Sequence, residues 1–500
     1  MFRKTRRLLF LLFFLACAAA PSRSQSLEIN LTVSPDAPRV RVEGTRDAAT
    51  KAWSFTNVYA GVMGLGERVE NLKLADASGQ AVAARRLAPG EYEAEREAVR
   101  FSYDLRLDPP ADAGTAAHVS WLTSDRGLLL LGDLLPVPLA RVRLSLTLPA
   151  GWAVATSESA DAGRFVITDA DKAVLVVGRE LRSQKARVGD MTVSVVSTGA
   201  WAFDDQELSR AVGDILKDYE KLLGGTPRSS ATVLLTPFPR PAPAQTWSAE
   251  TRGGTVAVLS GQWPSKTMAL GRLDTVLSHE LLHLWVPNGL ALEGEYDWFY
   301  EGFTLYLATR AGVRRGQLTF QDYLDAMGRA YDAYKSARGT QEVSLPDAAR
   351  RRFTLSPSLV YNKGMLVAFL YDLALMRHTK GKSSLEDVYR VLFRQHGAKA
   401  ARTGGDKDTQ VDGNRAVIEA LDFGGAMREF TRRYVEGTTP INLDAEVAAF
   451  GLRLESFGAR TRLFVGDNPS REQGDLLRKL GYNGAGDPAV RRLHEKLRKP

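Results

Sequence analysis

Apolar and polar residues alternate along the first part of the chain. The period of two is clearest in residues 27–33, 99–105 and 141–148, and Gly, Pro and Asp residues separate these runs. Alternation places the apolar side chains on one face of each strand, so two such sheets can bury these faces against each other. We therefore predict a non-catalytic antiparallel β-sandwich domain over residues 25–198.

Beyond residue 198 the apolar positions mostly follow a helical period. A helix is predicted over Asp204–Leu223, because acidic residues stand at its start and two glycines follow its end. Short strands are predicted at Ala231–Leu235 and at Gly254–Leu259, the latter as an edge strand. Further helices are predicted at Phe320–Ser336, Ser358–Arg377 and Ser384–His396, and a Gly-, Asp- and Thr-rich loop at Thr403–Asn414.

The strongest chemical signal is the pair His279 and His283 with Glu280 between them. Histidines four residues apart on a helix share one face, so both imidazoles can reach one cation. The neighbouring positions are almost all apolar, and the three polar side chains would therefore be buried without partners unless something pairs them. Hydrolytic zinc takes three protein ligands and leaves one position open for water. Glu301 is the candidate third ligand, since it lies 18 residues after His283 in a second apolar, helix-like run.

Several motifs together carry a resemblance to a known family. They are the His-Glu-x-x-His-x-Trp run ending at Trp285, the Trp-x-x-Glu-Gly-Phe-Thr run 298–304, the Tyr-x-Lys-Gly run 361–364 and the stretches 381–388 and 434–438. The chain resembles the glycyl aminopeptidase family of gluzincin zinc metallopeptidases and, more distantly, aminopeptidase N. The resemblance implies an α+β fold: an N-terminal antiparallel β-sandwich domain, a thermolysin-like zinc catalytic domain (residues 199–330), and a C-terminal helical domain (residues 331–455) that completes the cleft.

The same resemblance assigns roles to individual residues. It implies one Zn²⁺ per chain, held by His279, His283 and Glu301, with Glu280 as general base. Tyr361 is the expected hydrogen-bond donor to the oxyanion, and the alternative is an ordinary core tyrosine.

In the related families an acidic residue on the strand before the zinc helix meets the free ammonium of the substrate. Glu250 is the candidate here, although the glycine before it and the histidine after it are missing. Its alternative is a solvated carboxylate paired with Arg252.

These residues favour an exported zinc peptidase, most specifically an aminopeptidase acting on peptide substrates. A zinc endopeptidase, a lipid-mediator or epoxide hydrolase on the same site, and a non-catalytic binding or scaffold protein on a peptidase fold are the alternatives. The scaffold alternative is disfavoured because such proteins usually lose a ligand or the general base, and this sequence retains all of them.

The amino terminus predicts export. Four basic residues between positions 3 and 7 precede the apolar run 8–16, which is too short for a permanent membrane span, so residues 1–24 are expected to be a cleaved signal peptide. The residues before Cys17 also resemble a bacterial lipobox, and a lipidated Cys17 would anchor the protein to a membrane. The alternative is that Cys17 is lost with the signal. The expected location is the periplasm or the extracellular space.

Charge and length set further limits. The formal net charge of +8 falls to +3 without the five basic residues of the leader, so the basic pI gives no reason to expect a nucleic-acid partner. Cys17 is the single cysteine, and a disulfide framework is excluded.

Residues 456–500 are too few for an additional domain such as a PDZ module. A strand at Arg460–Val465 and an amphipathic helix at Asp487–Lys499 are predicted there.

Overall fold

The structure is a computed structural model that describes residues 26–138, 141–337, 342–352, 357–397, 411–458 and 460–484. Four predictions fall wholly or mainly outside these ranges. They are the signal peptide, the lipobox with Cys17, most of the loop at 403–414 and the helix at 487–499.

The N-terminal region is built on a nine-stranded sheet. Its strand Ser26–Ser34 alternates strictly between exposed and buried side chains, as the sequence pattern predicts. All pairings in this sheet are antiparallel except that of Ser26–Ser34 with Arg141–Thr147, which is parallel and differs from the expected all-antiparallel sheet. The strands in spatial order are Ser159–Asp161, Arg164–Ile167, Arg141–Thr147, Ser26–Ser34, Arg39–Ser54, Glu91–Arg106, Val69–Ala75 and Ala81–Val82, with Ala84–Ala88 also pairing with Glu91–Arg106.

A four-stranded sheet faces this large sheet and completes the sandwich. Its strands in order are Ala153–Ala155, Val174–Gly178, Arg126–Leu130 and Trp121–Leu122. Leu129, Leu175 and Val177 share one core with the nine-stranded sheet, whereas Val174 and Val176 pack with residues of a third sheet. The strand Val174–Gly178 is therefore buried on both faces, which explains why it is apolar without alternation.

The third sheet has five strands and lies next to the motif-bearing helices of the chain. The order is Arg182–Val188, Met191–Ser197, Ser230–Pro237, Thr255–Ser260 and Trp247–Arg252. The first two strands lie before residue 198, within the segment predicted as N-terminal, yet they pair with this sheet. The expectation that Gly254–Leu259 forms an edge strand is wrong, because Trp247–Arg252 turns back and pairs along its outer side. Trp247–Arg252 is called the edge strand below.

Helices make up most of the rest of the described chain. Asp205–Leu223 is capped by Asp204 through a capping box with Glu207 and ends at Gly224, which has a φ of 82°. Lys266–Leu282, called the motif helix below, carries His279 and Glu280. The other α-helices are Leu131–Leu134, Thr304–Arg314, Phe320–Ser336, Leu345–Arg350, Gly364–His378, Leu385–His396, Gly413–Leu421, Arg428–Phe430, Leu443–Ala448 and Arg471–Leu480. The observed bounds confirm the helices predicted near 205, 320, 358 and 384, and the α+β class is confirmed.

Short elements complete the fold. A hairpin of Val58–Tyr59 and Val62–Met63 lies in the N-terminal region, and Leu452–Phe457 pairs with Arg460–Val465, which confirms the strand predicted there. Three-residue to six-residue turns of 3₁₀ or π helix occur at Leu65–Arg68, Ala113–Thr115, Trp298–Phe303, Leu359–Lys363, Phe423–Gly425 and Thr431–Val435.

The run Leu359–His378 is long and apolar enough to cross a membrane, with a mean hydropathy of 1.3, yet 83% of its 18-residue apolar window is buried inside the protein. Most of its side chains belong to the hydrophobic core of the helical region, which accounts for its apolar composition.

Candidate zinc site

Two imidazoles converge at the C-terminal end of the motif helix. The helix ends at Leu282, and His283 follows as its C-terminal cap residue with helical backbone angles, so it stays on the same face as His279. The Nε2 atoms of the two rings lie 3.0 Å apart, and both residues are buried. The Nδ1 atom of His283 lies 3.0 Å from the carbonyl oxygen of Val286, and a proton on Nδ1 leaves Nε2 as the ligand atom.

Glu301 joins the pair from a single π-helical turn, Trp298–Phe303. Its Oε2 lies 3.3 Å from Nε2 of His279 and 3.5 Å from Nε2 of His283. The three side chains form the one group of potential metal ligands found among the residues that the structure describes. The structure therefore brings together the three residues that the sequence predicted as ligands.

Glycines explain how the two π-helical turns come so close. A Cβ on Gly302 would lie 2.6 Å from the Cα of Gly364 and 2.6 Å from the carbonyl oxygen of Val360. A Cβ on Gly364 would in turn lie 2.8 Å from the carbonyl oxygen of Trp298. Because neither glycine has a side chain, the two backbones touch, and this contact sets Tyr361 beside Glu301. Steric exclusion of a side chain thus explains why a glycine follows Glu301 in one motif and Lys363 in the other.

The donor atoms fit a zinc ion in spacing and in kind. Ligand atoms about 2.0–2.1 Å from a tetrahedral zinc lie roughly 3.3 Å from one another, close to the observed separations of 3.0, 3.3 and 3.5 Å. Two imidazoles and one carboxylate are also the set that zinc hydrolases use with an open fourth position. The residues present therefore fit one zinc ion.

Electrostatics favour a cation between these groups. Burial alone would raise the pKa of Glu301, but hydrogen bonds with His279 and His283 hold it well below its ordinary value. Burial would likewise lower the pKa of His283, yet the Glu301 carboxylate raises it to about 9. Glu301 thus stays ionised although it is buried, and a ligand to a divalent metal must be ionised.

Glu280 lies next to the ligands and is held by the edge strand. The hydroxyl of Thr251 lies 2.8 Å from Oε2 of Glu280 and 2.9 Å from its backbone oxygen. Asn288 fastens the same strand to the helix end, since its amide nitrogen lies 3.2 Å from the Thr251 carbonyl and 3.1 Å from the His283 carbonyl. Glu280 is 5% exposed, so its carboxylate has a defined position.

Tyr361 and Arg352 complete the wall opposite the motif helix. Arg352 donates from Nη2 to the phenol oxygen of Tyr361 at 2.7 Å and to Oε1 of Glu301 at 3.2 Å. Its Nη1 lies 3.4 Å from Oδ1 of Asp297. Burial, together with the negative charge of Glu301, raises the pKa of Tyr361 above its ordinary value, so the phenol carries its proton at neutral pH.

Lys363, from the same motif as Tyr361, has a structural role. Its side chain is 1% exposed, and Nζ donates to the carbonyl oxygen of Val343 at 2.6 Å. Burial lowers its pKa to about 8. This bond fixes Val343, which begins the segment containing the helix Leu345–Arg350 and Arg352.

Glu250 lies on the edge strand with its side chain on the opposite face from Thr251. Successive side chains alternate along a strand, so Glu250 faces the N-terminal β region while Thr251 faces the motif helix. Its carboxylate accepts hydrogen bonds from Tyr59 at 2.5 Å and from Arg252 at 2.7 Å, and it lies 2.6 Å from Nδ1 of His118. Burial would raise the pKa of Glu250, but His118 and Arg252 lower it to about 2. The paired carboxylate, whose side chain is 14% exposed, is thus packed against the N-terminal region rather than solvated.

Sequence reasoning missed Arg352, Thr251, Tyr59 and His118. Arg352 is the last of three consecutive arginines, and the sequence does not indicate which of them faces the site. His118 is not part of any recognisable motif. Only the tertiary contacts identify them.

Trp285 and Trp298 are fully buried, and their indole N–H groups donate to Gly225 and Asn414, as is typical of core anchors.

Comparison with known proteins agrees with this geometry. Residues 272–367, which include all three ligands, Glu280 and Tyr361, match the family model described as M61 glycyl aminopeptidase, and this confirms the resemblance read from the motifs. No curated protein matches the chain.

Among solved structures, an aminopeptidase N family protein from Idiomarina loihiensis is 17% identical, covers 89% of this chain and 80% of its own, and gives a TM-score of 0.71. An M1 zinc metallopeptidase from Deinococcus radiodurans is 15% identical, covers 84% of this chain and 96% of its own, and gives a TM-score of 0.54. A mutant of the latter was solved with a Tyr-Ser-Ala substrate. At these identities the likeness establishes the fold.

Proposed function

We propose that the chain is a zinc-dependent aminopeptidase that hydrolyses the first peptide bond of its substrates. The observation that carries the proposal is the convergence of His279, His283 and Glu301, with Glu280 beside them. The match of this segment to a glycyl aminopeptidase family model and the aminopeptidase-like fold support the same conclusion.

Bound zinc would act as a Lewis acid toward the substrate carbonyl and would lower the pKa of a water molecule toward about 7. Glu280 would accept the proton that the attacking water loses and pass it to the leaving amine nitrogen. Its fixed contact with Thr251 keeps one oxygen occupied and leaves the other for this transfer.

Tyr361 would stabilise the oxyanion that forms at the substrate carbonyl. Its phenol oxygen already accepts a hydrogen bond from Arg352, so the O–H is left to donate in another direction. A neutral phenol held in place before the reaction can stabilise developing negative charge without reorganising.

The amino-terminal preference is the finer part of the proposal and depends on Glu250. Its position on the edge strand supports a role in binding the substrate ammonium, because the adjacent Thr251 contacts Glu280. The partners of Glu250 favour a second candidate, a zinc endopeptidase. Arg252 already neutralises the charge of Glu250, and Tyr59 and His118 contact the oxygens of the same carboxylate.

Paired peptides that differ only in acetylation of the amino terminus test the proposal. If Glu250 binds the ammonium, acetylation should lower kcat/KM at least tenfold, because a charge-assisted hydrogen bond is lost. Glu250→Gln should show the same loss with the free peptide and little further loss on acetylation. Equal cleavage of both peptides by the wild type would indicate an endopeptidase, whereas no cleavage by the zinc-loaded protein would reject the peptidase function.

We further propose that the protein is exported through its basic and apolar leader, with Cys17 as a candidate lipidation site. Mass spectrometry of the mature amino terminus, in membrane and soluble fractions, tests both parts. A Cys17→Ser variant that leaves the membrane fraction would support lipidation. An unprocessed amino terminus in the cytoplasm would reject export.

A further inference from the structure

One row of residues on the surface of the motif helix, called the stripe below, leads toward the proposed zinc ligands. Residues 268, 272, 275 and 279 follow the i, i+4 and i+3 spacing of one helix face. Met268 is 53% exposed, Thr275 is exposed and Arg272 is half-buried, while His279 at the end of the stripe is buried. The stripe therefore leads from solvent at the N-terminal half of the helix to the buried ligand triad.

The edge strand lies beside the stripe. Thr251 of the strand contacts Glu280 of the helix, and Trp247, four residues earlier on the same strand face, lies under the guanidinium of Arg272. The distance from the Arg272 Cζ to the Trp247 ring centre is 5.4 Å, and Trp247 is 39% exposed. Strand and helix thus run side by side from the triad to Arg272, and Trp247 holds the Arg272 side chain in place.

Arg272 has no acidic partner among the residues that the structure describes, and its Nε is buried without a hydrogen bond there. Burial lowers its pKa, and no carboxylate in the described chain opposes that shift. Other arginines around the site are paired, as Arg352 is with Glu301 and Arg315 with Asp274. Among the described residues Arg272 is a half-buried cation without a carboxylate partner, and it lies on the helix face that leads to the ligand triad. Such a group is suited to bind an anion of the substrate.

We propose that Arg272 binds the carboxyl terminus of short peptide substrates, which makes the enzyme selective for oligopeptides with a free carboxylate. The inference rests on the proposed peptidase function of the zinc site. Seven residues separate Arg272 from His279, which is about 10 Å along the helix. An extended peptide rises about 3.3 Å per residue, so a carboxylate two or three residues beyond the cleaved bond reaches the guanidinium.

Alanine peptides of three to eight residues, each as free acid and as carboxyl-terminal amide, test the inference. For Ala-Ala-Ala and Ala-Ala-Ala-Ala we expect amidation to lower kcat/KM ten- to hundredfold, because a charge-assisted hydrogen bond is lost. The penalty should fade for the longest peptides, whose carboxylates lie beyond Arg272. Equal cleavage of acids and amides at every length would overturn the inference and leave the peptidase function standing.

Variants separate the role of Arg272 from the general positive charge of the helix. Arg272→Gln should cleave the free acids as slowly as the wild type cleaves the amides, and it should cleave the amides at the wild-type rate. Lys266→Gln removes a cation from the same helix, one that is already paired with Glu207, and should keep the preference for free acids. If Lys266→Gln abolishes the preference equally, long-range charge rather than Arg272 is responsible, and the inference fails.

A binding measurement decides the inference even without turnover. Calorimetry with zinc-loaded Glu280→Gln should show at least tenfold tighter binding of Ala-Ala-Ala than of its amide. Equal affinities would overturn the carboxylate site. If the acid binds more tightly but the wild type hydrolyses neither peptide, the carboxylate site stands and the proposed peptidase function is wrong. Zinc content and thermal midpoint verify that Arg272→Gln is folded, and Arg272→Met, which also removes the charge but keeps an apolar stem over Trp247, replaces it if it is not.

Discussion

Arg352 donates a hydrogen bond to the phenol oxygen of Tyr361, with 2.7 Å between Nη2 and Oη. The same nitrogen lies 3.2 Å from Oε1 of Glu301, the oxygen that faces away from the two histidines. One guanidinium therefore orients both a proposed zinc ligand and the proposed oxyanion donor. It leaves Oε2 of Glu301 for the metal and the O–H of Tyr361 for the substrate.

Replacing Arg352 should impair both functions together. Arg352→Met is expected to weaken zinc binding ten- to hundredfold, since it removes an outer hydrogen bond to a ligand, and to lower kcat at least tenfold with little change in KM. Arg352→Lys should recover part of the zinc affinity because it keeps the charge, but less of kcat because it cannot bridge both oxygens in the same way. Competition with a chelating dye measures zinc affinity, and unchanged affinity in Arg352→Met would contradict this role.

Loss of one metal ligand should remove zinc and activity together. His283→Ala leaves two ligands, which hold zinc poorly, so the purified variant should contain little metal. Glu280→Gln is the matched control, because it keeps all three ligands and removes only the proposed base. It should retain one zinc per chain and lose nearly all of kcat. Full zinc occupancy of His283→Ala, measured by elemental analysis, would end the assignment of the ligands.

Removing the phenol hydroxyl of Tyr361 should affect the transition state more than substrate binding. Loss of one oxyanion donor elsewhere lowers kcat by ~10²–10³, so Tyr361→Phe is expected to reduce kcat by that factor and leave KM within a few-fold. Steady-state kinetics with one peptide that the wild type cleaves well measures both kcat and KM. A variant with near-normal kcat would make Tyr361 a core residue that serves only to position Arg352.

The carboxylate of Glu250 should make stability depend on pH in the acid range. Its pKa is about 2 in the folded chain and 4.5 ordinarily, so the unfolded chain binds more protons between these values. Its contribution, on the order of 3 kcal/mol, is complete above about pH 4.5 and is lost as the pH falls toward 2.

Urea unfolding at pH 3 and pH 6 measures this dependence. Glu250→Gln should flatten the difference between the two pH values, since Tyr59, His118 and Arg252 lose their charged partner. Glu97→Gln, at an exposed position on the N-terminal sheet, is the control and should keep the wild-type difference. Identical pH profiles of Glu250→Gln and the wild type would show that the cluster does not hold the carboxylate ionised.

The spacing of residues along the sequence was enough to predict many helices and strands and most of the candidate site. Alternating apolar residues predicted the strand Ser26–Ser34, and helical periods predicted the helices from Asp205 onward, because both patterns depend on backbone repeats of a few residues. His279 and His283 were recognisable for the same reason, since four residues make one helical turn. Glu301 and Tyr361 followed from motifs, and the contact between Gly302 and Gly364 now gives those motifs a physical basis.

Only the tertiary structure decided which distant residues meet. The order of the five-stranded sheet, with Trp247–Arg252 rather than Gly254–Leu259 at its edge, depends on pairing between segments and not on either segment alone. The side of the strand that Glu250 faces, its contacts with Tyr59 and His118, and the position of Arg352 likewise come from parts of the chain far apart in sequence. A residue's type and spacing set its local conformation, whereas its partner depends on how the whole chain packs.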